Sequence, residues 1–168
     1  MGSDPTALVT AAQAGDTVAM AELLDVLSPY VARICGPIAL DSGADAAQDT
    51  LVAVLRSLGS LRQPTALFGW VRAIAVRESL RHASADAQAL PRSPDLLANV
   101  PARDDPQLAA DVRAVLHRLR PEHRAVLILR DLEGLDEQTA SAVLAVPKGT
   151  LKSRLHRARA AFRKEWTI

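Results

Sequence analysis

The run PEHRAVLILRDLEGLDEQTASAVLAVPKGTLKSRLHRARAAFRK, residues 121–164, decides the fold of the second half of the chain. Pro121 and Asp136 are typical of helix starts, and Gly134 is typical of a helix end. The run therefore predicts a helix, a short capped helix and, after a tight turn at residues 145–147, a third helix. Two helices joined by a short turn, with cations on the second, indicate a helix-turn-helix.

The last of these helices is strongly cationic. It carries seven Lys/Arg and no carboxylate between Pro147 and Lys164, in a chain whose net charge is +1. One narrow apolar seam recurs at helical spacing, and the cations lie outside it. The seam consists of Leu151, Leu155, Ala158 and Phe162.

This pattern favours nucleic acid as the partner over the alternative of a solvated basic face on a bundle helix. A cationic helix gains affinity for a duplex because its binding releases counterions. No carboxylate within the run can form i,i+4 pairs with the cations. The first turns would reach base edges, and the later cations would reach phosphates. The base-edge candidates are Thr150, Lys152, Ser153 and Arg154; the phosphate candidates are Arg157, Arg159 and Arg163.

Composition predicts an all-α fold. Hydrophobic residues make up 49% of the 168 residues and aromatics only 3%, so the core must consist of Ala, Leu and Val, and no strand pattern is present. Cys35 is the single cysteine, which excludes an internal disulfide framework, and we expect it to be buried. No apolar run approaches the ~20 residues of a membrane span, so we expect a cytoplasmic protein without membrane insertion.

Charge divides the chain into two halves. Residues 1–110 carry 8 Lys/Arg and 12 Asp/Glu, whereas residues 111–168 carry 12 Lys/Arg and 7 Asp/Glu. The stretch 84–106 contains four prolines and no apolar period. We therefore predict two small helical domains, residues 1–84 and 106–168, joined by a Pro/Asp-containing linker at 85–105.

Five helices are predicted in the first half. The second is expected to start after Asp16 and to end at Ser28-Pro29, because the residue before a proline disfavours the helical backbone. The others are a short helix before Gly15, a stretch at 30–40, a helix from about Ala44 to Gly59, and a helix after Pro64 with an inward stripe of Trp70, Val71, Ile74 and Ala75.

Residues 119–163, LRPEHRAVLILRDLEGLDEQTASAVLAVPKGTLKSRLHRARAAFR, resemble the C-terminal promoter-binding domain of bacterial sigma-70-type RNA polymerase factors, of the extracytoplasmic-function (ECF) class. In the first half, DAAQDTLVAVLRSL (45–58) is similar to the sigma segment that docks on the β′ clamp helices of RNA polymerase. FGWVRAIAVRESLRH (68–82) is similar to the segment that engages the −10 promoter element.

The resemblance implies partners and roles by position. The partners are core RNA polymerase, through its β′ clamp helices and β flap, promoter DNA and an anti-sigma factor. Asp45, Gln48 and Asp49 fall on positions expected to contact polymerase. The −10-type positions are Trp70, Arg72, Arg77 and Arg81, and the −35-type positions are Lys148, Thr150, Lys152, Ser153, Arg154, Arg157 and Arg159.

The chain also departs from the family pattern. The usual Ala-Arg-Asn run of the −10 helix is Ala75-Val76-Arg77, a usual Asp is Arg81, and the turn glycine before the last helix is Ala145. Two alternatives to a promoter-directing sigma factor follow. One is a stand-alone helix-turn-helix regulator, and the other is a sigma-like adaptor or decoy that binds polymerase or an anti-sigma factor without recognising promoters.

Catalysis is not expected. The four histidines are scattered without metal-ligand spacing, and no glycine-rich phosphate loop follows a strand. The sequence therefore predicts no catalytic residue, no metal site and no cofactor.

Overall fold

A computed structural model describes residues 4–89 and 105–166, and this part of the chain is all-α, without a strand. The front group of helices is α1–α4 and the rear group is α5–α8. The front helices are α1 Pro5–Gln13, α2 Thr17–Ala39, α3 Gly43–Ser57 and α4 Leu67–Gln88. The rear helices are α5 Pro106–His117, α6 Pro121–Leu127, α7 Glu137–Leu144 and α8 Lys148–Trp166. The predicted fold class is confirmed.

Helix α2 is the centre of the front group. It packs against α1, α3 and α4, and its inward face is fully buried at Leu23, Leu27, Val31 and Ile34. Cys35 lies on the same face, as expected, and burial raises the pKa of its thiol. The front core is therefore built around one long helix.

The prediction that Ser28-Pro29 ends a helix is wrong. Helix α2 continues through both Pro29 and Pro37 to Ala39, and the stretch at 30–40 is its second half. A proline inside a helix costs about 3 kcal/mol or more, whereas fully burying one Leu or Ile contributes about 1.5–3 kcal/mol. Eight residues of α2 are buried, so packing outweighs the two prolines.

The expectation that no stretch is apolar enough for a membrane span is also wrong on length and composition alone. The segment Thr17–Ser60 contains an 18-residue window of mean hydropathy 1.4. In the folded chain 44% of that window is buried, because α2 supplies the core of the front group. The core helix of a packed domain satisfies the same length and hydropathy test.

Other boundaries follow the sequence closely. Asp16 and Asp105 accept hydrogen bonds from the first backbone N–H groups of α2 and α5, as their positions predicted. Helix α4 extends to Gln88, four residues into the predicted linker. Most of that linker, residues 90–104, lies outside the described residues, so the division into domains 1–84 and 106–168 stays a prediction.

The rear group forms the predicted helix-turn-helix. Helix α6 continues into a π-helical turn, Ile128–Leu132, before Gly134 takes φ 67° and ends it. Asp136 then caps α7 by accepting from the Thr139 N–H at 2.7 Å. That bond is the main reason that the pKa of Asp136 lies below its usual range.

The two groups pack against each other in one continuous hydrophobic cluster. Helix α6 contacts α2 and α4, and α7 contacts α4. Polar contacts join the same surfaces, notably between Arg124 of α6 and the Ile38 carbonyl of α2 at 2.8 Å. The described residues of the free chain are therefore closed rather than splayed.

The turn between α7 and α8 is left-handed at Ala145, with φ 52° and ψ 43°. The Val146 N–H reaches back to the Ser141 carbonyl at 3.0 Å, so the backbone must reverse at this residue. Left-handed backbone is strained for a residue with a Cβ and is the usual place of glycine. The chain thus carries local strain directly before α8.

Replacing Ala145 with glycine should stabilise the protein by about 0.5–1 kcal/mol, because the strain at positive φ disappears. The matched control is Ala142→Gly, at an exposed position inside α7, which should destabilise by about the same amount. Chemical denaturation measures both. Equal destabilisation by the two changes would contradict a left-handed Ala145.

Candidate nucleic-acid interface

Helix α8 is held by the apolar seam that its sequence predicted. Leu151, Leu155 and Ala158 are buried, and α8 packs on α6 and α7 along this seam. Phe162 is half-buried, packs beside the buried Leu116 and Leu119, and stacks on Trp166 at 5.9 Å between ring centroids. The opposite side of α8 faces solvent.

The predicted −35-type residues lie on this outward side. Six are exposed and Arg154 is half-buried; the exposed ones are Lys148, Thr150, Lys152, Ser153, Arg157 and Arg159. The Ser153 hydroxyl donates to the Thr150 carbonyl at 3.0 Å, which leaves its oxygen lone pairs as acceptors. The structure therefore brings the seven residues together on one helix, with hydroxyls and cations mixed in the first turns.

Two of the cations have internal carboxylate partners that the sequence did not indicate. Arg159 donates Nε to Asp131 at 3.1 Å and Nη2 to the other carboxylate oxygen at 2.5 Å, and this pairing raises the pKa of Arg159. The Lys152 ammonium lies 3.4 Å from a Glu137 oxygen. The two acids lie in the π-helical turn and in α7. The lack of carboxylates within residues 147–164 therefore does not leave Lys152 and Arg159 without partners.

On α4, three of the four predicted −10-type residues share one face. Trp70, Arg77 and Arg81 are seven and four residues apart, which places them on one side of the helix. Arg77 and Arg81 are exposed, and Trp70 is half-buried against the core, as its apolar spacing had also suggested. This side of α4 can present cations and one aromatic edge to a ligand.

Arg72 lies on another side of α4. It is half-buried, and its proximity to Tyr30 of α2 lowers the pKa of that hydroxyl, although burial of the Tyr30 ring outweighs this and raises the pKa overall. Helical spacing explains why Arg72 and Trp70 point in different directions, because a step of two residues rotates the side-chain direction by about 200°. Arg72 thus belongs to the packing between helices more than to the outward face.

The three predicted polymerase-contacting residues lie on α3. Asp45 and Gln48 are exposed, whereas Asp49 is only partly exposed and already has partners. Its carboxylate accepts from Arg81 at 2.8 Å and lies 2.7 Å from the His82 ring nitrogen. Hydrogen bonds from His82 first, and then from Arg81, hold the pKa of Asp49 below its usual range.

Two apolar residues extend the same face of α3 and were missed by the sequence analysis, which considered only its polar residues. Val52 and Leu55 are 36% and 48% exposed. They follow Asp45 and Gln48 at helical spacing, so acids and exposed aliphatic side chains form one stripe. Exposed large apolar side chains next to charges are typical of a protein-binding surface.

Asp49, Glu78 and His82 bring their ligand atoms within 4.8 Å of one another, which is close enough for a metal ion. Arg81 Nη2, however, lies 2.7 Å from Glu78 and 2.8 Å from Asp49. A cation there would have to displace a guanidinium that already neutralises both carboxylates. The cluster is therefore best described as an ion-pair network.

A shallow concavity beside Trp70 was also missed. It is formed by residues 60–63, 65 and 66 together with Gly69 and Trp70, and Arg62 and Gln63 in it are exposed. The loop residues have no helical periodicity, so only their tertiary proximity to Trp70 marks them as part of this surface.

Comparison with known proteins defines the class. Residues 109–162 match the family model described as sigma-70, region 4, a range that covers most of α5, all of α6 and α7, and α8 as far as Phe162. The chain is 32% identical over 177 residues to the ECF RNA polymerase sigma factor SigE of Mycolicibacterium smegmatis, an alignment that covers 95% of this chain and 67% of that protein. It is 26% identical to the ECF RNA polymerase sigma-E factor of Haemophilus influenzae, covering 91% and 90%. The chain belongs to the ECF class of sigma-70-type RNA polymerase sigma factors.

Solved structures support the same fold. The sigma factor RpoE from Bartonella quintana, in complex with the anti-sigma factor NepR, superposes with a TM-score of 0.66 at 23% identity, covering 86% of this chain and 94% of that one. CnrH in complex with the cytosolic domain of CnrY gives 0.65 at 21% identity, covering 95% of each chain.

The internal partner of Arg159 yields a prediction about DNA affinity. Asp131→Asn should release Arg159 for phosphate, raise affinity for duplex DNA several-fold and steepen the slope of log K against log salt by up to about 0.9. Fluorescence anisotropy with a labelled duplex at several salt concentrations measures both quantities.

The matched control is Asp111→Asn on α5, which makes the same change in net charge at another exposed position. It should leave the slope unchanged. Equal effects from the two variants would mean that overall charge, and not Arg159, governs the binding.

Proposed function

We propose that this sigma factor directs core RNA polymerase to promoters by contacting the −35 element with α8 and the −10 element with α4. The observation that carries the proposal is the division of α8 into a buried seam and an outward face of cations and hydroxyls. A helix supported in this way can enter a major groove without losing its own packing.

At the −35 element, the first turns of α8 would contact bases. Thr150, Lys152, Ser153 and Arg154 lie there, and recognition helices of this motif use their N-terminal residues for base edges. Lys148, Arg157 and Arg159 would bind phosphates and set the register on the duplex. Free N–H groups at the start of α8 add to the attraction for phosphate.

At the −10 element, the shared face of α4 would contact DNA. Arg77 and Arg81 supply charge, and Trp70 supplies an aromatic edge beside the shallow concavity. Arg72 is half-buried towards Tyr30, so we assign it a supporting role in placing α4. The departures from the family pattern at Arg77 and Arg81, both exposed, would alter which bases are preferred.

Polymerase would bind along α3. Asp45, Gln48 and Asp49 are the polar part of the stripe, and Val52 and Leu55 are the apolar part. A charged and apolar stripe on one helix suits another helical surface, which the family resemblance identifies as the β′ clamp helices. The rear group would meet the β flap.

The remaining assignments follow from family membership. Relatives are solved with anti-sigma factors, so we propose that such a factor restrains this chain as well. We place the protein in the cytoplasm, where polymerase and DNA are, and assign the chemistry of transcription to polymerase alone. Family membership disfavours a stand-alone regulator and a decoy, and specific initiation with core polymerase would exclude both.

Run-off transcription with core polymerase on a promoter library tests the proposal. Specific initiation is expected, and Lys152→Ala or Arg154→Ala should reduce it on promoters with an intact −35 element by about 5- to 150-fold, the range of one lost base contact. Lys164→Ala, near the far end of α8, is the control and should have little effect. Initiation that survives both of the first two changes would contradict α8 as the −35 helix.

The polymerase surface is tested separately. Asp45→Lys should weaken binding to core polymerase at least about ten-fold, because a like charge opposite a basic surface costs several kcal/mol. Asp25→Lys, an exposed acid on α2, makes the same charge change away from the stripe. Surface plasmon resonance with immobilised core enzyme compares them, and similar losses for both would exclude α3 as the docking helix.

A further inference from the structure

The cations on the two sides of α8 have different neighbours. On one side, Lys152 and Arg159 pair with Glu137 and Asp131. Arg154 lies two residues after Lys152, and a step of two residues rotates the side-chain direction by about 200°. Arg154 therefore lies on the other side of the buried seam, away from both of these acids.

This second side of α8 carries arginines without carboxylate partners. Arg157 follows Arg154 by three residues and so shares its side of the helix. Within residues 4–89 and 105–166, neither guanidinium forms an ion pair with a carboxylate. An anion that approaches this side does not have to displace an internal acid.

The start of α6 extends the same positive surface. Arg120, directly before α6, is exposed, and His123 in the first turn is half-buried. Burial lowers the pKa of the His123 ring, and the positive charge of Arg120 lowers it further. Arg154 and Arg157 are close enough to act in the same direction. Two helices thus bring four basic side chains to one place, the basic flank, which consists of Arg120, His123, Arg154 and Arg157.

One carboxylate acts against the basic flank. Glu122 is exposed, and its charge raises the pKa of His123 against the effect of the arginines. Three guanidiniums therefore act together with a single carboxylate, so the flank stays positive at neutral pH even when the His123 ring is uncharged.

The position of the flank beside α8 suits the phosphates of a duplex. An α-helix with its side chains is about 10–12 Å across, which is close to the width of about 12 Å of the major groove. An element packed beside a helix in the groove therefore stays outside it, where phosphates form the rim. Helix α6 is such an element, since it packs along the buried seam of α8.

We propose that Arg120 and His123, which lie before the helix-turn-helix, bind phosphates of the DNA strand that borders α8 on the side of the basic flank. The opposite side of α8 contributes less, because phosphates there have to replace Glu137 and Asp131. This inference rests on the proposed role of α8 in binding DNA and extends the contact with DNA to a second helix.

The contact of His123 depends on pH. A phosphate attracts the charged ring more strongly than the neutral one, so the pKa of His123 is higher in the complex than in the free protein. Binding therefore takes up a proton, and affinity rises as the pH falls through that range.

Salt dependence tests the contact of Arg120. Arg120→Ala should lower affinity for a labelled duplex of random sequence about five-fold at about 0.15 M salt, and reduce the steepness of log K against log salt by about 0.9. Arg56→Ala removes the same charge at an exposed position of α3 and should leave the slope unchanged. An unchanged slope for R120A, or an equal reduction in both variants, would overturn the inference.

Glu122→Gln gives a result that loss of folding cannot imitate. Affinity for the same duplex should rise about two-fold or more, because the carboxylate no longer repels the phosphate. Asp111→Asn neutralises another exposed carboxylate, on α5, and should change affinity little. No gain for E122Q, or an equal gain for both variants, would count against the basic flank.

The pH dependence tests His123 itself. The background is His156→Gln, which removes the exposed histidine of α8. Affinity should rise several-fold between about pH 8 and about pH 5.5, and His123→Gln should remove most of this rise while leaving affinity at the higher pH unchanged. Circular dichroism at both pH values checks the fold, and a rise that persists in the H123Q protein would refute the phosphate contact.

Lys148→Ala separates the two kinds of failure, because Lys148 lies on α8 outside the basic flank. If neither Lys148→Ala nor Arg120→Ala changes the salt slope, the proposed role of α8 is wrong together with this inference. If Lys148→Ala alone reduces the slope, α8 binds DNA and the basic flank does not.

Discussion

The arrangement of this molecule depends on the charge of Arg124. Burial lowers the pKa of its guanidinium, but an arginine remains protonated, so the charge must be satisfied inside the protein. Backbone carbonyls at the ends of α2 and α5 provide that satisfaction. Those helix ends belong to different halves of the chain. The hydrogen bonds that satisfy the Arg124 guanidinium therefore also set the position of the rear group on the front group.

Two cations of α8 form ion pairs with acidic residues of the same chain. Asp131 and Glu137 sit beside Arg159 and Lys152, where they reduce the mutual repulsion of a helix that carries seven positive charges. Such exposed ion pairs contribute little to the free energy of unfolding and are screened by salt. Phosphates of a duplex can therefore replace them at small cost. The acids are therefore compatible with the proposed role of α8 in binding DNA.

The front group links its two proposed surfaces through one carboxylate. Asp49 belongs to the stripe on α3, yet its partners Arg81 and His82 belong to α4. A ligand that draws Asp49 away would leave Arg81 paired with Glu78 alone, and one that draws Arg81 away would leave Asp49 with His82 alone. The proposed polymerase surface on α3 and the proposed −10 surface on α4 are therefore coupled electrostatically as well as adjacent in space.

Features that arise from neighbouring residues can be predicted from the order of amino acids alone. The caps at Asp16, Asp105 and Asp136, the seam of α8 and the tight turn at Ala145 were predictable because they depend on spacing and backbone preference within a few residues. The continuation of α2 through Pro29 depends instead on packing in the folded chain, because burial of the inward face of α2 outweighs the local cost of the proline. Packing also sets the partners of Arg159, the orientation of Arg72 and the role of Arg124 as a cap on α2. Each of these features joins residues that are distant in sequence, and local periodicity carries no information about which surfaces meet.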